Sequence, residues 1–284
     1  MMPLVLEDAS LDVPALLAEL REQGYARLGR VLSDDGLAML RARADDIMLG
    51  KVCHDGLFFQ HDSDSGRYED LVRKQGYVGA SLHYRKIEKL EKDPLFRALI
   101  ANPIYERIVQ AMAPGPITLY RAVLFNKAAH GGTDLPWHQD GGIFWGLDRA
   151  PLIQIWTTLD DATEASGCLE FLPGTHKEGL VTPLGGVVQP EHVEQLRANE
   201  RRIFVPAMAG EAMLIDNNVW HRSGTNHTDT PRRAVTFCYL RGETRCVRTK
   251  RRPRIIWAVS CASCARCRPM AWCCARTGLK PTNS

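Results

Sequence analysis

The chain has 284 residues, 45% of them hydrophobic and 24% charged, with a formal net charge of +3. That is ordinary globular composition for one large domain or two small ones, and the charge is too mild to argue for nucleic acid as a partner. The sequence holds no long uninterrupted apolar run, and its start, MMPLVLEDASLD, lacks the basic segment of a secretory signal. A cytoplasmic protein with no membrane association is therefore expected.

The first fifty residues read as helix, strand, helix. VPALLAELREQG carries Pro14 near a helix start and Gly24 at its stop. YARLGRV, residues 25–31, alternates as a short strand does. Ser33 then caps a second helix whose first turn holds Asp34 and Asp35. Residues 51–80 show no sustained period and read as a long loop, of the kind that often forms a lid. RKIEKLEK, residues 85–92, alternates in charge like a solvated helix face. Asp93-Pro94 opens a third helix, interrupted at Pro103.

After Pro116 the texture changes. ITLYRAVLFNKA, PLIQIWTTLDDA, GCLEFLPG, RRIFVPAMAG, EAMLIDNNVW and RAVTFCYLRG are short β-branched and aromatic runs separated by Gly, Pro, Asp and Asn. Such runs without intervening helices predict an antiparallel sandwich or barrel. The expected organisation is an N-terminal helical region with a lid loop over 1–116, a β core over 117–245 and an atypical tail over 246–284. The tail holds six of the nine cysteines, Cys246, Cys261, Cys264, Cys267, Cys273 and Cys274. Cys261, Cys264 and Cys267 have metal-like spacing, but no paired-strand or helix context accompanies them. The tail is therefore read as disordered or aberrant.

Within the β core, LPWHQDGG (135–142) places His138 and Asp140 two positions apart. Residues i and i+2 of an extended segment project from one face, so both can reach one point. A third ligand must come from another strand, and the candidate is His221 in DNNVWHRSG. Two histidines and one carboxylate leave three adjacent positions open around a metal, the facial arrangement of non-heme Fe(II) oxygenases. A keto-acid that chelates iron at one end needs its far carboxylate fixed, a task suited to the planar fork of arginine. Arg232 and Arg233 both stand at the start of RRAVTFCYL, and neighbouring strand residues face opposite ways. Their order alone does not say which points inward.

HQD, WTTLDDA, GCLEFLPGTH, WHRSGTN and PRRA, taken together, resemble the phytanoyl-CoA dioxygenase family of Fe(II)/2-oxoglutarate oxygenases. The resemblance covers roughly 117–245 and is weaker in the N-terminal helices. It implies a double-stranded β-helix, also called a jelly roll or cupin-like barrel, mainly β with flanking N-terminal helices. It implies Fe(II) held by His138, Asp140 and His221, and 2-oxoglutarate as cosubstrate. Family spacing from the second histidine favours Arg232 as the carboxylate anchor. Ser223 and Trp156 match positions beside the cosubstrate, and Lys86 is a looser match. Family halogenases lack the carboxylate ligand; because Asp140 is present, the resemblance implies oxygenation of a small-molecule substrate with O₂. A non-catalytic metal- or ligand-binding barrel is the rival reading. Desaturation, cyclisation or epimerisation would share the same metal ligands. Substrate and oligomeric state are not readable from the sequence.

Overall fold

A computed structural model describes residues 4, 11–72, 76–247 and 255–257. The chain begins with α1 (Val13–Gln23), β1 (Tyr25–Arg30) and α2 (Asp34–Met48). The Asp12 and Ser33 side chains cap the two helices by accepting from Ala15 N and Gly36 N, and Gly24 ends α1 in the left-handed conformation. Next come β2 (Phe58–His61), β3 (Tyr84–Glu88), α3 (Pro94–Ile100) and α4 (Pro103–Met112). The break expected at Pro103 is present: each proline starts a helix, where its missing N–H costs no helical hydrogen bond.

The β core follows: β4 (Ile117–Lys127), β5 (Leu135–Gln139), β6 (Ile153–Thr158), β7 (Leu169–Leu172) and β8 (Gly186–Val187). Two short helices, α5 (Pro190–Gln195) and α6 (Ala198–Arg201), interrupt it. It resumes with β9 (Ile203–Val205), β10 (Glu211–Ile215), β11 (Trp220–Ser223), β12 (Arg232–Arg241) and β13 (Ile255–Trp257). The larger sheet runs β1-β10-β6-β12-β4-β3-β2, with β13 also on β4; the smaller runs β8-β5-β11-β7-β9. All pairings are antiparallel. The two sheets form a double-stranded β-helix, a jelly roll.

Three features differ from the sequence reading. The segment 51–80 is not all loop, because Phe58–His61 pairs with β3. RKIEKLEK is not a helix face: Tyr84–Glu88 is a strand buried between β2 and β4. Its charges alternate because one side of the strand lines a polar cavity. Within the tail, Ile255–Trp257 is a strand whose Trp257 stacks on Tyr239 at 5.0 Å. Apolar burial on the open edge of β4 orders it. Cys261, Cys264, Cys267, Cys273 and Cys274 lie outside the described residues.

The period-2 alternation of the large sheet assigns its two faces. Ile153, Ile155, Val235, Phe237 and Tyr239 join the main core with the helices, including Leu40 of α2 and Ile108 of α4. The alternate residues, Gln154, Trp156, Arg232 and Thr236, line a cavity between the sheets. Arg233 faces the helix side, where it forms ion pairs with Asp160 at 2.8 Å and Asp45 at 2.6 Å. Those acids compensate its burial and raise its pKa further. Arg232 and Arg233, equivalent by composition, thus serve opposite faces of one strand.

Candidate metal centre

His138 lies on β5 and His221 on β11, and the two are directly paired across the smaller sheet. Their ring centroids are 4.0 Å apart. In each ring Nδ1 points at the carbonyl two residues back, Pro136 O at 2.9 Å and Val219 O at 3.0 Å. A carbonyl only accepts, so Nδ1 carries the hydrogen and Nε2 keeps its lone pair for the cavity. Asp140 follows the end of β5, with its backbone N–H donating to Asn217 O at 2.7 Å. Its Oδ2 is 3.6 Å from His221 Nε2. One donor atom from each of His138, Asp140 and His221 lies within 4.8 Å of the others. Donors held about 2.1 Å from one ion stand roughly 3–4 Å apart, so the set needs little closure to hold a metal. Two imidazole nitrogens and one carboxylate suit a divalent first-row ion better than a thiolate-seeking one.

The protonation states agree. Burial, reinforced by neighbouring His221, lowers His138 to about 4. Burial alone would raise Asp140, but the Arg121 guanidinium and the two imidazoles outweigh it and hold the carboxyl far below the usual range. At neutral pH His138 is neutral and Asp140 ionised, as metal ligation requires. This has a measurable consequence for the metal-free protein. Unfolded His138 takes a proton near 6.5 and the folded residue near 4. Stability from this residue is therefore complete above the unfolded value and lost as pH falls through the window from 6.5 to 4. At about 1.4 kcal/mol per pH unit, the loss is on the order of 3 kcal/mol. Urea midpoints across that window should fall with pH in the wild type and flatten in His138→Asn; parallel slopes would refute the assignment.

Two turns close around the centre through glycine. Gly142 has φ 82°, and a Cβ there would sit 2.5 Å from Leu184 O. Gly167 has φ 72°, and a Cβ would sit 2.4 Å from Gly224 O. Only glycine permits these conformations at such close approach. The carbonyl of Gly167 accepts from Arg232 Nη2 at 2.7 Å. The GCLEFLPGTH segment thus shapes the Arg232 end of the site through its backbone.

The cavity measures about 620 Å³. Ser223, Trp156, Lys86 and Arg232 all line it, beside the three donors. Trp156 is 3% and Ser223 5% exposed, so both are walls. Lys86 is half-buried and forms an ion pair with Glu88. Arg232 is 2% exposed, and its Nε has no acceptor among the described residues. Burial lowers its pKa to about 10, which still leaves it charged. A buried guanidinium with an unspent donor is costly unless an anion completes it. The donor set and Arg232 together therefore fit a metal and an acid cosubstrate.

Sequence reasoning missed Arg121, Gln154 and Lys127. Gln154 Nε2 donates to Asp140 Oδ2 at 2.7 Å, and Arg121 Nη2 lies 3.5 Å from Oδ1. Lys127, paired with Arg232 across β4 and β12, donates to Thr133 O at 2.7 Å. Burial, and then Arg232 and Arg85, push its amine well below the ordinary lysine range. The available signal was a lone polar residue at inward parity in an otherwise apolar strand: Arg121 in LYRAVLF and Gln154 in PLIQIW.

A jelly roll with a His-Asp-His cluster inside it defines a metal-binding class, and comparison with known proteins identifies the family. Residues 20–234 match the phytanoyl-CoA dioxygenase (PhyH) family. The chain belongs to that family. It is 25% identical to phytanoyl-CoA dioxygenase domain-containing protein 1 of Danio rerio, over 78% of this chain and 88% of that protein. It is 26% identical to the peroxisomal phytanoyl-CoA dioxygenase of Mus musculus, over 84% of this chain and 72% of that one. Among solved structures, EctD from S. alaskensis with 2-oxoglutarate and 5-hydroxyectoine superposes with a TM-score of 0.66 at 20% identity. That match covers 87% of this chain and 83% of the other. No helix among the described residues is long and apolar enough to cross a membrane.

Proposed function

We propose that this chain is an Fe(II)- and 2-oxoglutarate-dependent dioxygenase that hydroxylates a small organic molecule, releasing succinate and CO₂. The observation that carries the reading is the pairing of a three-donor cluster with a buried, unspent arginine in one cavity. Family membership and the iron and 2-oxoglutarate named for the structural neighbours support it.

His138, Asp140 and His221 would hold the iron on one side and leave the other open to the cavity. Both imidazoles are fixed in tautomer and direction by backbone carbonyls, so they meet the ion without reorganising. Gln154 holds the Asp140 carboxylate from behind at 2.7 Å, and Arg121 balances its charge from 3.5 Å. Arg232 would grip the remote carboxylate of 2-oxoglutarate, with Ser223 and Lys86 at its sides and Trp156 as a flat wall. The buried walls keep water from the reacting centre. When bound, iron and 2-oxoglutarate supply with O₂ an oxidant able to break an unactivated C–H bond. Desaturation or cyclisation would need the same groups.

The test is succinate release by purified protein given Fe(II), 2-oxoglutarate and air, with a panel of free acids, amino acids and acyl thioesters. Slow release without substrate and stimulation by one class are expected. Bound iron with no succinate under any condition would favour the non-catalytic barrel.

A further inference from the structure

Besides Arg232 the cavity is lined by the guanidinium of Arg121, which the proposed cosubstrate does not need. Arg121 lies on the inward face of β4, six residues before Lys127. Across β12, Arg121 is opposite Cys238 and Lys127 opposite Arg232. Six residues of strand span about 20 Å, so Arg121 and Arg232 are rooted at opposite ends of the cavity. A single five-carbon acid seated against Arg232 does not reach Arg121 at the other end.

The local setting of Arg121 is that of a binding group. Its guanidinium lies over the Trp145 ring at 4.4 Å, which fixes its plane and leaves its edge to hydrogen bond. Its contact with Asp140 is long, at 3.5 Å, and its Nε is buried with no acceptor among the described residues. Apart from Arg232, the other lining cations have close protein partners: Lys86 pairs with Glu88, Lys127 donates to Thr133 O, and Arg85 donates to Gln60 Oε1 at 2.9 Å. Beyond Trp145 the cavity mouth turns apolar. Phe144 is 74% exposed, and Leu184 and Val187 are exposed beside it.

We propose that Arg121 is the substrate-anchoring residue, and that the substrate presents a carboxylate to it and an apolar remainder to Phe144, Leu184 and Val187. The inference rests on the oxygenase reading for its reaction, though not for its binding site. A carboxylate held there sits beside Asp140, so the C–H group presented to the metal lies within a few bonds of that carboxylate.

The experiment is calorimetric titration with two probes of equal chain length, octanoate and octan-1-ol. It is run on metal-free protein and on protein loaded anaerobically with Fe(II) and 2-oxoglutarate. Wild type should bind octanoate at least ~10-fold more tightly than octanol in both forms, the scale of one charge-assisted contact. Arg121→Gln should abolish the difference, Arg121→Lys should restore part of it, and Arg232→Met should leave it in place in the metal-free form. Equal affinities in wild type would overturn the proposal, and so would a preference lost in Arg232→Met but kept in Arg121→Gln. An Arg121→Gln protein that folds but no longer takes up iron would make Arg121 a positioning residue for Asp140, and would also overturn it. The metal-free arm keeps these outcomes separate from any failure of the iron and 2-oxoglutarate assignment.

Discussion

Replacing Asp140 with alanine should remove stoichiometric iron uptake and lower succinate formation by about three orders of magnitude, while the fold persists. A bound metal contributes several kcal/mol of transition-state stabilisation, and at 1.36 kcal/mol per decade its loss has that size. Asp140 is chosen over either histidine because of charge. The two imidazoles are paired across β5 and β11 and would remain in place. Without the carboxylate, however, Arg121 would confront the ion uncompensated, since Asp140 is the acid that faces it in the cavity. Asp140→Asn separates shape from charge: it keeps the acceptor for Gln154 but loses the anion, and iron affinity should fall nearly as far. Circular dichroism melts establish that the variants fold, and metal analysis after gel filtration reads the loss. An Asp140→Ala protein that retains iron and turnover would remove the carboxylate from the proposed ligand set.

Arg232→Met should weaken 2-oxoglutarate binding about 100-fold and leave iron uptake intact. Truncating one partner of a buried charge pair costs roughly 2–5 kcal/mol, and a 100-fold loss lies within that range. The same substitution should raise the melting temperature of the protein without cosubstrate. The reason is that Arg232 is buried without an acid partner: its Nη2 reaches a carbonyl, and its Nε reaches nothing among the described residues. Desolvation of that charge is already visible in a pKa lowered to about 10. A stability cost at one buried group, offset only when ligand arrives, is typical of functional positions. Arg233→Met should behave oppositely. It takes the guanidinium away from Asp45 and leaves Asp160 only its Arg41 ion pair, so it destabilises the fold without a direct effect on 2-oxoglutarate affinity. Melting curves with and without 2-oxoglutarate distinguish the two; a lower melting temperature for ligand-free Arg232→Met would contradict this account.

The helix stop at Gly24, the cap at Ser33, the break at Pro103 and the strand-rich half after Pro116 follow local chemistry, and they were legible for that reason. The His138–Asp140 spacing was also local. Its union with His221 needed only one additional strand, which β11 provides by direct pairing with β5. The illegible parts depend on packing. β3 resembled a solvated helix because Lys86 and Glu88 face a polar cavity while Ile87 faces the core, a contrast that charge alternation alone does not assign. β2 has too few residues to reveal a period. Family spacing favoured Arg232 over Arg233, but the physical difference between them required the register of β12, since adjacent strand residues look alike until one face is known to meet helices. Arg121 and Gln154 were single polar interruptions in apolar strands, and their significance emerges only when Asp140 arrives beside them.

The most direct test is spectroscopic: anaerobic addition of Fe(II) and then 2-oxoglutarate to purified protein, followed in the visible. One equivalent of each should produce a charge-transfer band, because a keto acid chelating ferrous iron through two oxygens absorbs there. His221→Ala should give none. Protein that binds ferrous ion and 2-oxoglutarate yet stays colourless, or that takes up no ferrous ion, would contradict the convergence of His138, Asp140 and His221 on one iron.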